Sequence, residues 1–527
     1  SSCSLAWVLL AAPLTAQQNL LVDVPPTDDI TAPPGFKVER IHTAPVAEQG
    51  SWVAMTLDNK GRMITADQYG GLYRFTLPSL AEKQVGQVEK LDTLGIGGVH
   101  GLLYVNNSLY VMVNERAENR FGEGKSGLHR LRDTDGDDKF DQAELVREMA
   151  GSGEHGPHSL VLGPDRQTIY YGNGNNTAAP VNLEKHVPVA WGEDLLAPRM
   201  WPPVGNGRGI LAPAGYVGRT DLEGRVHELV AIGLRNSYRI AFDPNGELFT
   251  YDSDTENETG MPWYLPTRIN HVTSGADYGW RSGSGRWPTQ YPDSLPAILD
   301  VGPGSPTGLL MGTGAKFPAK YQHALFSADW TYGTLYAVHL VPDGASFRAL
   351  KEEFIWGRPL PLTDLLINPQ DGALYFTVGG RRTDSALYRV TYTGPESTAP
   401  VPYPAPTPAA QLRRELEALH DDAPNPEVIA KAWPYLSNPD RYIRWAARVA
   451  IERQPVQLWA ANTFAETQPQ AVIESHVALA RLGDRSLQSR LITSLMRQDI
   501  SKMSADLQFQ FVRAWGLLFT RMGMPSP

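Results

Sequence analysis

The stretch YRIAFDPNGELFTYD (residues 238–252) carries the pattern that decides the fold. Apolar and polar residues alternate on both sides of the segment DPNG, and a period of two is typical of β-strands. Asp, Pro, Asn and Gly are the residues that tight turns prefer. The stretch is therefore predicted to form a β-hairpin.

The same pattern recurs along most of the chain. Further copies cover residues 53–67, 100–115, 158–174, 320–340 and 363–380. Repeats of roughly 50 to 70 residues that contain only strands are typical of propeller blades. Together the copies predict a six-bladed β-propeller over residues 36–394. The early segment FKVERIHTA (residues 36–44) is predicted to close the ring against the last blade.

The composition changes after the propeller. Residues 395–409 are rich in proline, which is typical of a semi-rigid linker. Over residues 410–527 apolar residues recur at helical spacing. An example is the face formed by Ile443, Ala446, Ala447 and Ala450. We therefore predict a mainly β protein, in which the propeller is followed by a smaller all-α domain of HEAT-like helical repeats.

Bulk composition argues against some classes of function. The chain has 527 residues and a net charge of −10, without a dense cluster of Lys and Arg, so no nucleic-acid partner is expected. Its single cysteine, Cys3, excludes a disulfide or a C-x-x-C-H haem site within this chain.

The first apolar run indicates export. Residues 5–16 are too few to span a bilayer but match the core of a signal peptide, although a basic start is missing. We predict a signal peptide over residues 1–16, a linker over 17–35 and a periplasmic or secreted protein that is not transmembrane. A frayed apolar N-terminus is the alternative.

The segment EHGPHSLVLGPD (residues 154–165) places two histidines just before an apolar strand. In a propeller the residues before each innermost strand surround the mouth of the central channel. His155 there is a suitable general base for an alcohol proton. Trp52, His100 and His158 are expected at the same mouth as pocket residues. The alternative is that both histidines of the segment are hydrogen-bonded loop residues.

Three motifs carry a resemblance to a known family. They are H-x-x-x-x-L-V-x-G-P-D followed by IYYGNG, then GLRNSYRIAFDPNGELF, then ADYGWR. In this order they resemble the soluble quinoprotein glucose and sorbosone dehydrogenases, which are six-bladed propellers that use pyrroloquinoline quinone (PQQ) and calcium. The resemblance implies that His155 is the catalytic base for a sugar or related alcohol. It also implies that Arg235 and Asn236 contact the quinone and that Arg235 has a catalytic role.

The chain departs from the family at its cationic positions. Thr331, Pro361 and Thr363 stand where the family has a lysine and two arginines, and the segment 254–255 replaces a calcium-binding Gly-Pro. Substitutes for the lost charges are expected in arginines elsewhere, namely Arg358, Arg381 and Arg382. Of these, Arg381 and Arg382 are the predicted cofactor-binding residues.

The resemblance is closer to one subgroup of that family. Its members are large exported proteins of aquatic bacteria in which helical repeats follow the propeller, often with a c-type haem domain. No C-x-x-C-H motif occurs in this chain, so any haem domain is expected either beyond the present terminus or on a partner, such as a c-type cytochrome or another electron acceptor.

Two acidic segments are candidate calcium sites. In DTDGDDKFDQAE (residues 133–144) oxygen ligands fall at the spacing that calcium requires. The predicted ligands are Asp133, Asp135, Asp137, Asp141 and Glu144. A second cation is predicted at Asp252 and Asp254, and a solvated acidic loop is the alternative in both places. Trp280 and Trp287 are candidates for stacking on sugar rings or for core packing.

Three functions remain open at this point. The first is an exported oxidoreductase that oxidises a sugar or related alcohol with PQQ. The second is a non-catalytic propeller that binds a glycan or protein, with the helical array docking a partner. The third, a lactonase-like calcium hydrolase, depends on a metal at the channel centre.

Overall fold

The computed structural model describes residues 24–114, 125–181, 183, 185–202, 205–420 and 423–525. The predicted signal peptide lies outside these residues, as does the start of the predicted linker over 17–35. The described chain forms a six-bladed β-propeller followed by a helical region. The predicted fold class is confirmed.

Each blade is built on an antiparallel sheet whose strands run in chain order from the channel outward, except that the outermost strand of blade 6 is Phe36–Ala44. Blade 1 contains the strands Trp52–Leu57, Met63–Asp67, Leu72–Phe75 and Glu89–Lys90. Blade 2 contains Val99–Val105, Ser108–Val113, Gly127–Arg132 and Gln142–Glu148. Blade 3 contains Pro157–Leu162, Thr168–Asn173, Gly215–Asp221 and His227–Leu234. Blade 4 contains Ser237–Phe242, Leu248–Asp252, Thr267–Val272 and Leu299–Gly302. Blade 5 contains Pro306–Met311, Ala324–Asp329, Thr334–Asp343 and Ser346–Trp356. Blade 6 contains Leu362–Ile367, Leu374–Val378 and Ser385–Tyr392. Short strands at Lys185–His186 and Ala276–Asp277 extend blade 3, and Trp280–Arg281 pairs with Gly285–Arg286.

The N-terminal strand Phe36–Ala44 closes the ring. It pairs antiparallel with Ser385–Tyr392, so that Phe36 lies opposite Tyr392 and Ala44 opposite Ser385. This strand is the fourth of blade 6, and the predicted closure is confirmed. The innermost strand of blade 6 in turn contacts that of blade 1. The two ends of the propeller are thereby held together by strand pairing.

The hairpin of blade 4 shows why these sequences form blades. Its turn is held by Asp243, whose carboxylate accepts two backbone N–H groups of the turn at 2.9 and 2.8 Å. Gly246 has a φ of 81°, a conformation that glycine adopts without strain. The flanking alternation buries Ile240, Leu248 and Phe249 between neighbouring blades.

Nine α-helices occur in the described chain. They are α1 Val46–Gln49, α2 Ala319–Gln322, α3 Pro408–Glu417, α4 Pro426–Ala432, α5 Arg441–Glu452, α6 Ala460–Ala465, α7 Pro469–Leu482, α8 Gln488–Met496 and α9 Ala505–Met522. Helices α3, α5, α7 and α9 pack in sequence against one another, while α4, α6 and α8 each pack on the helix that follows. This alternation supports the HEAT-like prediction, which stays a prediction. No helix in the described ranges combines the length and apolar character needed to cross a membrane.

The helical region is packed directly onto the propeller. Trp445 and Val449 of α5 are buried in one cluster with Leu248 and Tyr278 of the propeller. Polar contacts reinforce this packing, because the buried Glu247 of blade 4 accepts hydrogen bonds from Arg413 and from Arg414 at 2.9 Å. The two regions therefore share one continuous interior.

Candidate functional site

A cavity of about 210 Å³ lies at the channel mouth, beside the starts of the innermost strands. All six blades contribute to its lining, through Val53, His100, His155, Tyr238, Thr307 and Thr363 in blade order. Arg235, Asn236 and Arg381 also line it. His155 and Arg235 therefore face one shared cavity, as the sequence predicted.

His155 is held as a neutral imidazole. It ends the 3-10 turn Gly153–His155, directly before the innermost strand of blade 3, and is 5% exposed. Its Nδ1–H donates to Oδ1 of Asn175 at 2.7 Å. Burial, together with the positive charge of Arg235, holds the pKa of His155 well below its ordinary value. With Nδ1 protonated, Nε2 is the proton acceptor of this ring.

Asn175 was not identified from the sequence, and it positions His155. Its own backbone N–H donates to the carbonyl of Arg235 at 2.8 Å, so the asparagine links the loops of blades 3 and 4. The preceding Gly174 has no room for a side chain, because a Cβ there would lie 2.4 Å from the carbonyl oxygen of His155. The segment GNGN (residues 172–175) was the available signal in the sequence.

Arg235 is surrounded by carboxylates. Its guanidinium hydrogen-bonds Glu258, lies 3.1 Å from Glu256 and lies 3.5 Å from Asp254. Burial lowers the pKa of Arg235, but these carboxylates outweigh it and the net shift is upward. Burial also raises the pKa of Asp254 to about 6, despite the opposing charge of Arg235. The arginine is thus a fixed cation in an acidic setting.

Asn236 links the cavity wall to His158. Its Nδ2 donates to the carbonyl of Glu154 at 2.9 Å, and its Oδ1 accepts from Nε2–H of His158 at 3.0 Å. His158 is fully buried and does not line the cavity, contrary to the prediction. Burial lowers the pKa of His158 to about 3, so this ring is also neutral.

The rings of His100, His158 and Tyr238 close the channel beneath the cavity. The rings of His100 and His158 stack with centroids 5.5 Å apart, and Tyr238 lies 4.4 Å from His158. Below them Arg239 pairs with Asp364 at 3.0 Å, and it also donates to the carbonyl of His100 at 2.7 Å. This ion pair joins blades 2, 4 and 6 and gives the cavity a rigid floor.

Only one of the two predicted rim arginines belongs to the cavity. Arg381 lines it, pairs with Glu154 at 2.7 Å and lies over the Trp330 ring at 5.0 Å. Arg382 instead lies over the ring of Tyr69 at 4.2 Å and is absent from the lining. Trp330, which the sequence analysis did not single out, lines the cavity as well.

The predicted pocket residue Trp52 and the stacking candidates Trp280 and Trp287 are all buried, and none of them lines the cavity. Trp52 is fully buried, stacks between His42 and Phe75, and does not reach the cavity. Trp280 and Trp287 are buried too. Trp52 packs in a cluster of apolar residues from blades 1 and 6, whereas the ring of Trp287 is covered by the guanidinium groups of Arg281 and Arg513.

Guanidinium groups occupy the predicted second cation site. The carboxylate of Asp252 accepts backbone N–H groups of Arg235 and Asn236 at 3.0 and 2.8 Å, and it pairs with Arg268 at 2.9 Å. Asp254 faces Arg235. In the described part of the chain, neither carboxylate belongs to a group of three ligands that could hold a metal. This correction also removes the main support for a metal hydrolase.

In the loop after blade 2's third strand, three of the predicted carboxylates lie close enough together to contribute to a metal site. Oxygens of Asp133, Asp135 and Asp141 lie within 4.8 Å of one another. Two predicted ligands are not in this group: Glu144 pairs with Arg130, and Asp137 accepts the backbone N–H of Lys139 at 2.9 Å. Hard carboxylate oxygens of this kind fit Ca²⁺.

Arg62 links this loop to blade 1. It holds Asp138 with two hydrogen bonds of 2.6 and 2.7 Å. The loop therefore has a fixed attachment whether or not an ion is bound.

We expect calcium to stabilise this loop. Chelation with EDTA should lower the thermal midpoint of unfolding, because an ion bound only by the folded state stabilises that state. Asp135→Asn should remove most of this calcium-dependent difference, whereas Asp137→Asn should keep it. Differential scanning fluorimetry with and without Ca²⁺ measures both. Equal midpoints for the unsubstituted protein with Ca²⁺ and with EDTA would contradict a calcium site.

The fold and the cavity define a class: a six-bladed propeller whose channel mouth holds a neutral histidine beside a buried arginine. No family model matches the chain. A curated relative, quinoprotein glucose dehydrogenase B of Acinetobacter calcoaceticus, is 24% identical over 250 residues, covering 42% of this chain and 48% of the relative. The chain thus matches about half the length of that curated relative.

Solved structures support the fold. A calcium structure of a Trichoderma reesei family AA12 carbohydrate-active enzyme has a TM-score of 0.50 at 12% identity, covering 69% of this chain and 97% of that one. A PQQ-bound aldose sugar dehydrogenase of Streptomyces coelicolor has a TM-score of 0.46 at 13% identity, covering 68% and 100%. The printed names of the curated relative and of the Streptomyces coelicolor protein describe sugar dehydrogenases, whereas the likeness of the Trichoderma reesei structure to this chain concerns the propeller fold alone.

The cavity residues fit the reactive end of a quinone cofactor. Nε2 of His155 has no hydrogen-bond partner among the described residues, and it belongs to a ring that lines the cavity. Arg235 and Asn236 supply N–H groups on the same wall, where they can face a carbonyl oxygen. Of Arg235 and Arg381, Arg381 is the more exposed, and its guanidinium lies over the Trp330 ring.

Proposed function

We propose that the protein is an exported oxidoreductase that oxidises a sugar or related alcohol with PQQ at the propeller mouth. The observation that carries this proposal is the neutral, oriented His155 beside Arg235 in one cavity. The curated relative and the likeness to sugar dehydrogenases are consistent with it. Export rests on the apolar run over residues 5–16.

The chain's own residues supply acid–base chemistry and orientation. Nε2 of His155 accepts the proton of the substrate hydroxyl, and Asn175 keeps Nδ1 protonated, so that the acceptor atom faces the cavity. The rings of His100 and Tyr238 line the cavity, and His158 packs against both. When bound, PQQ supplies the two-electron oxidation by accepting a hydride from the substrate carbon.

Three residues would hold the cofactor. Arg235 and Asn236 would face its carbonyl oxygens, and Arg381 would pair with a carboxylate in place of Glu154. The electrons would then pass to a c-type cytochrome or another acceptor.

A second candidate function is supported by the charge of the cavity. Arg235 already hydrogen-bonds or pairs with three carboxylates, and Arg381 already pairs with Glu154. A tricarboxylate such as PQQ must compete with these pairs. A non-catalytic glycan-binding propeller needs no such exchange.

PQQ titration in the presence of Ca²⁺ separates the two functions. We expect PQQ to bind and to support dye reduction with aldoses. Arg381→Ala should weaken PQQ binding by about 10- to 100-fold, as expected for loss of a hydrogen bond to a charged group. Its neighbour Arg382 lies outside the cavity, so Arg382→Ala is the matched control and should bind PQQ normally. Fluorescence titration measures both affinities.

Failure of PQQ to bind the unsubstituted protein would favour the glycan-binding function. If Arg381→Ala and Arg382→Ala lose the same amount of PQQ affinity, Arg381 is not a specific cofactor ligand.

A further inference from the structure

Exposed aromatic side chains are concentrated beside the cavity. Among the described residues the large exposed aromatics are Trp201, Trp263, Tyr264, Tyr332, Trp356 and Phe509. Trp263, Tyr264 and Tyr332 belong to segments that contact the cavity lining, and Trp201 belongs to a segment that packs on the loop of blade 4 that carries Trp263. Single exposed apolar residues are normal on protein surfaces, but a cluster at a cavity mouth indicates a binding surface.

Two tyrosines flank the mouth from neighbouring blades. Leu265, the residue after Tyr264, exchanges two backbone hydrogen bonds of 3.0 Å with Thr255, which lies between the lining residues Asp254 and Glu256. Tyr332 follows Thr331, whose hydroxyl lies 2.7 Å from that of the lining residue Ser305. The rings are 47% and 43% exposed, so both are available to a ligand.

Two tryptophans extend this surface. The backbone N–H of Trp263 donates to the carbonyl of Glu256, a lining residue, at 2.8 Å. Trp201 follows Met200, which packs on Gly260 so closely that an added Cβ would lie 3.0 Å away. The segment between the second and third strands of blade 3, which carries Trp201, therefore lies against the loop of blade 4 that carries Trp263.

We propose that Trp201, Trp263, Tyr264 and Tyr332 form an aromatic platform for a neutral oligosaccharide whose terminal unit enters the cavity. The proposal rests on the proposed function and specifies its substrate class. Aromatic faces pack against the C–H faces of sugar rings, and the polar groups of Glu256 and Ser305 at the mouth suit hydroxyl groups.

The charges at the mouth select against acidic chains. Glu154, Asp254 and Glu256 line the cavity, and the two guanidinium groups there are already paired with carboxylates. A neutral saccharide meets no such repulsion, whereas a uronic-acid polymer or another polyanion does.

Calorimetry without PQQ tests the platform independently of oxidation. Glucose is compared with cellotriose, maltotriose and laminaritriose. We expect at least one trisaccharide to bind more tightly than glucose. Tyr264→Ala and Tyr332→Ala should each reduce that advantage by about two- to tenfold, as one aromatic contact provides, while leaving glucose binding unchanged. Phe509→Ala, an equally exposed aromatic on α9, is the control and should keep the advantage.

Trisaccharides that bind no better than glucose would overturn the platform, as would an advantage that both tyrosine variants retain. Variants that slow reduction of a c-type cytochrome while trisaccharide affinity is unchanged would also overturn it, in favour of a protein-docking surface. Because saccharide binding is measured without the cofactor, a failed oxidation assay does not change the conclusion drawn from these affinities.

Discussion

His155→Ala should lower kcat/KM for aldose oxidation by about 100- to 10,000-fold, the range that a positioned general base contributes. The loss should fall mainly on kcat, because the imidazole acts on the proton that leaves during the reaction. Dye-linked assays with PQQ and Ca²⁺ measure it. His158 is not placed to replace it, because its ring does not line the cavity and is hydrogen-bonded to Glu154 and Asn236.

The pH dependence provides an independent check. Because burial and Arg235 hold the pKa of His155 well below its ordinary value, the neutral base persists as the pH falls. The acid limb that belongs to His155 should therefore lie below about pH 6.5, the ordinary imidazole value. In a matched control, His323→Ala removes a histidine outside the cavity lining, whose ring hydrogen-bonds the carbonyl of Val401 and lies beside Tyr403, and activity should stay unchanged. Full activity in His155→Ala would exclude the assigned base.

Arg513→Ala should lower the free energy of unfolding by about 3 to 5 kcal/mol, because it leaves a buried carboxylate without its partner. Arg513 on α9 donates to both carboxylate oxygens of Asp293 at 2.7 to 3.2 Å, and both side chains are at most 1% exposed. This pair fastens the last helix to the propeller. Urea unfolding followed by tryptophan fluorescence measures the loss.

Two further variants test the cause. Arg497→Ala removes an exposed arginine after α8 and should have little effect on stability. The double variant Arg513→Ala/Asp293→Ala should recover part of the loss, because it removes the unpaired charge. If the double variant loses as much stability as the two single variants together, the effect of Arg513→Ala comes from lost packing and not from an unpaired charge.

The same pair predicts a change with pH. Burial raises the pKa of Asp293, but Arg513 outweighs this and brings the pKa to about 2. The folded value is below the unfolded value of about 3.9, so the contribution is complete above that pH and is lost as the pH falls towards 2. Arg513→Ala should therefore flatten the loss of stability with acid over this window.

Much of the architecture was predictable because it depends on local chemistry. Hairpin turns such as the one held by Asp243 are encoded within a few residues, and their repetition indicated six blades. His155 was located correctly because residues before an innermost strand face the channel mouth in any propeller. Trp52 and His158 also precede or begin innermost strands, yet their side chains point into the interior.

The sequence alone determined the strand pattern, the helical region and the acidic loop of blade 2, since each of these arises from neighbours in the chain. Tertiary structure alone decided which charges meet. It brought three carboxylates around Arg235, set Arg513 against Asp293 and oriented His155 through Asn175. The physical reason is that Coulomb and hydrogen-bond energies depend on distances between side chains from different blades, and sequence spacing does not specify those distances.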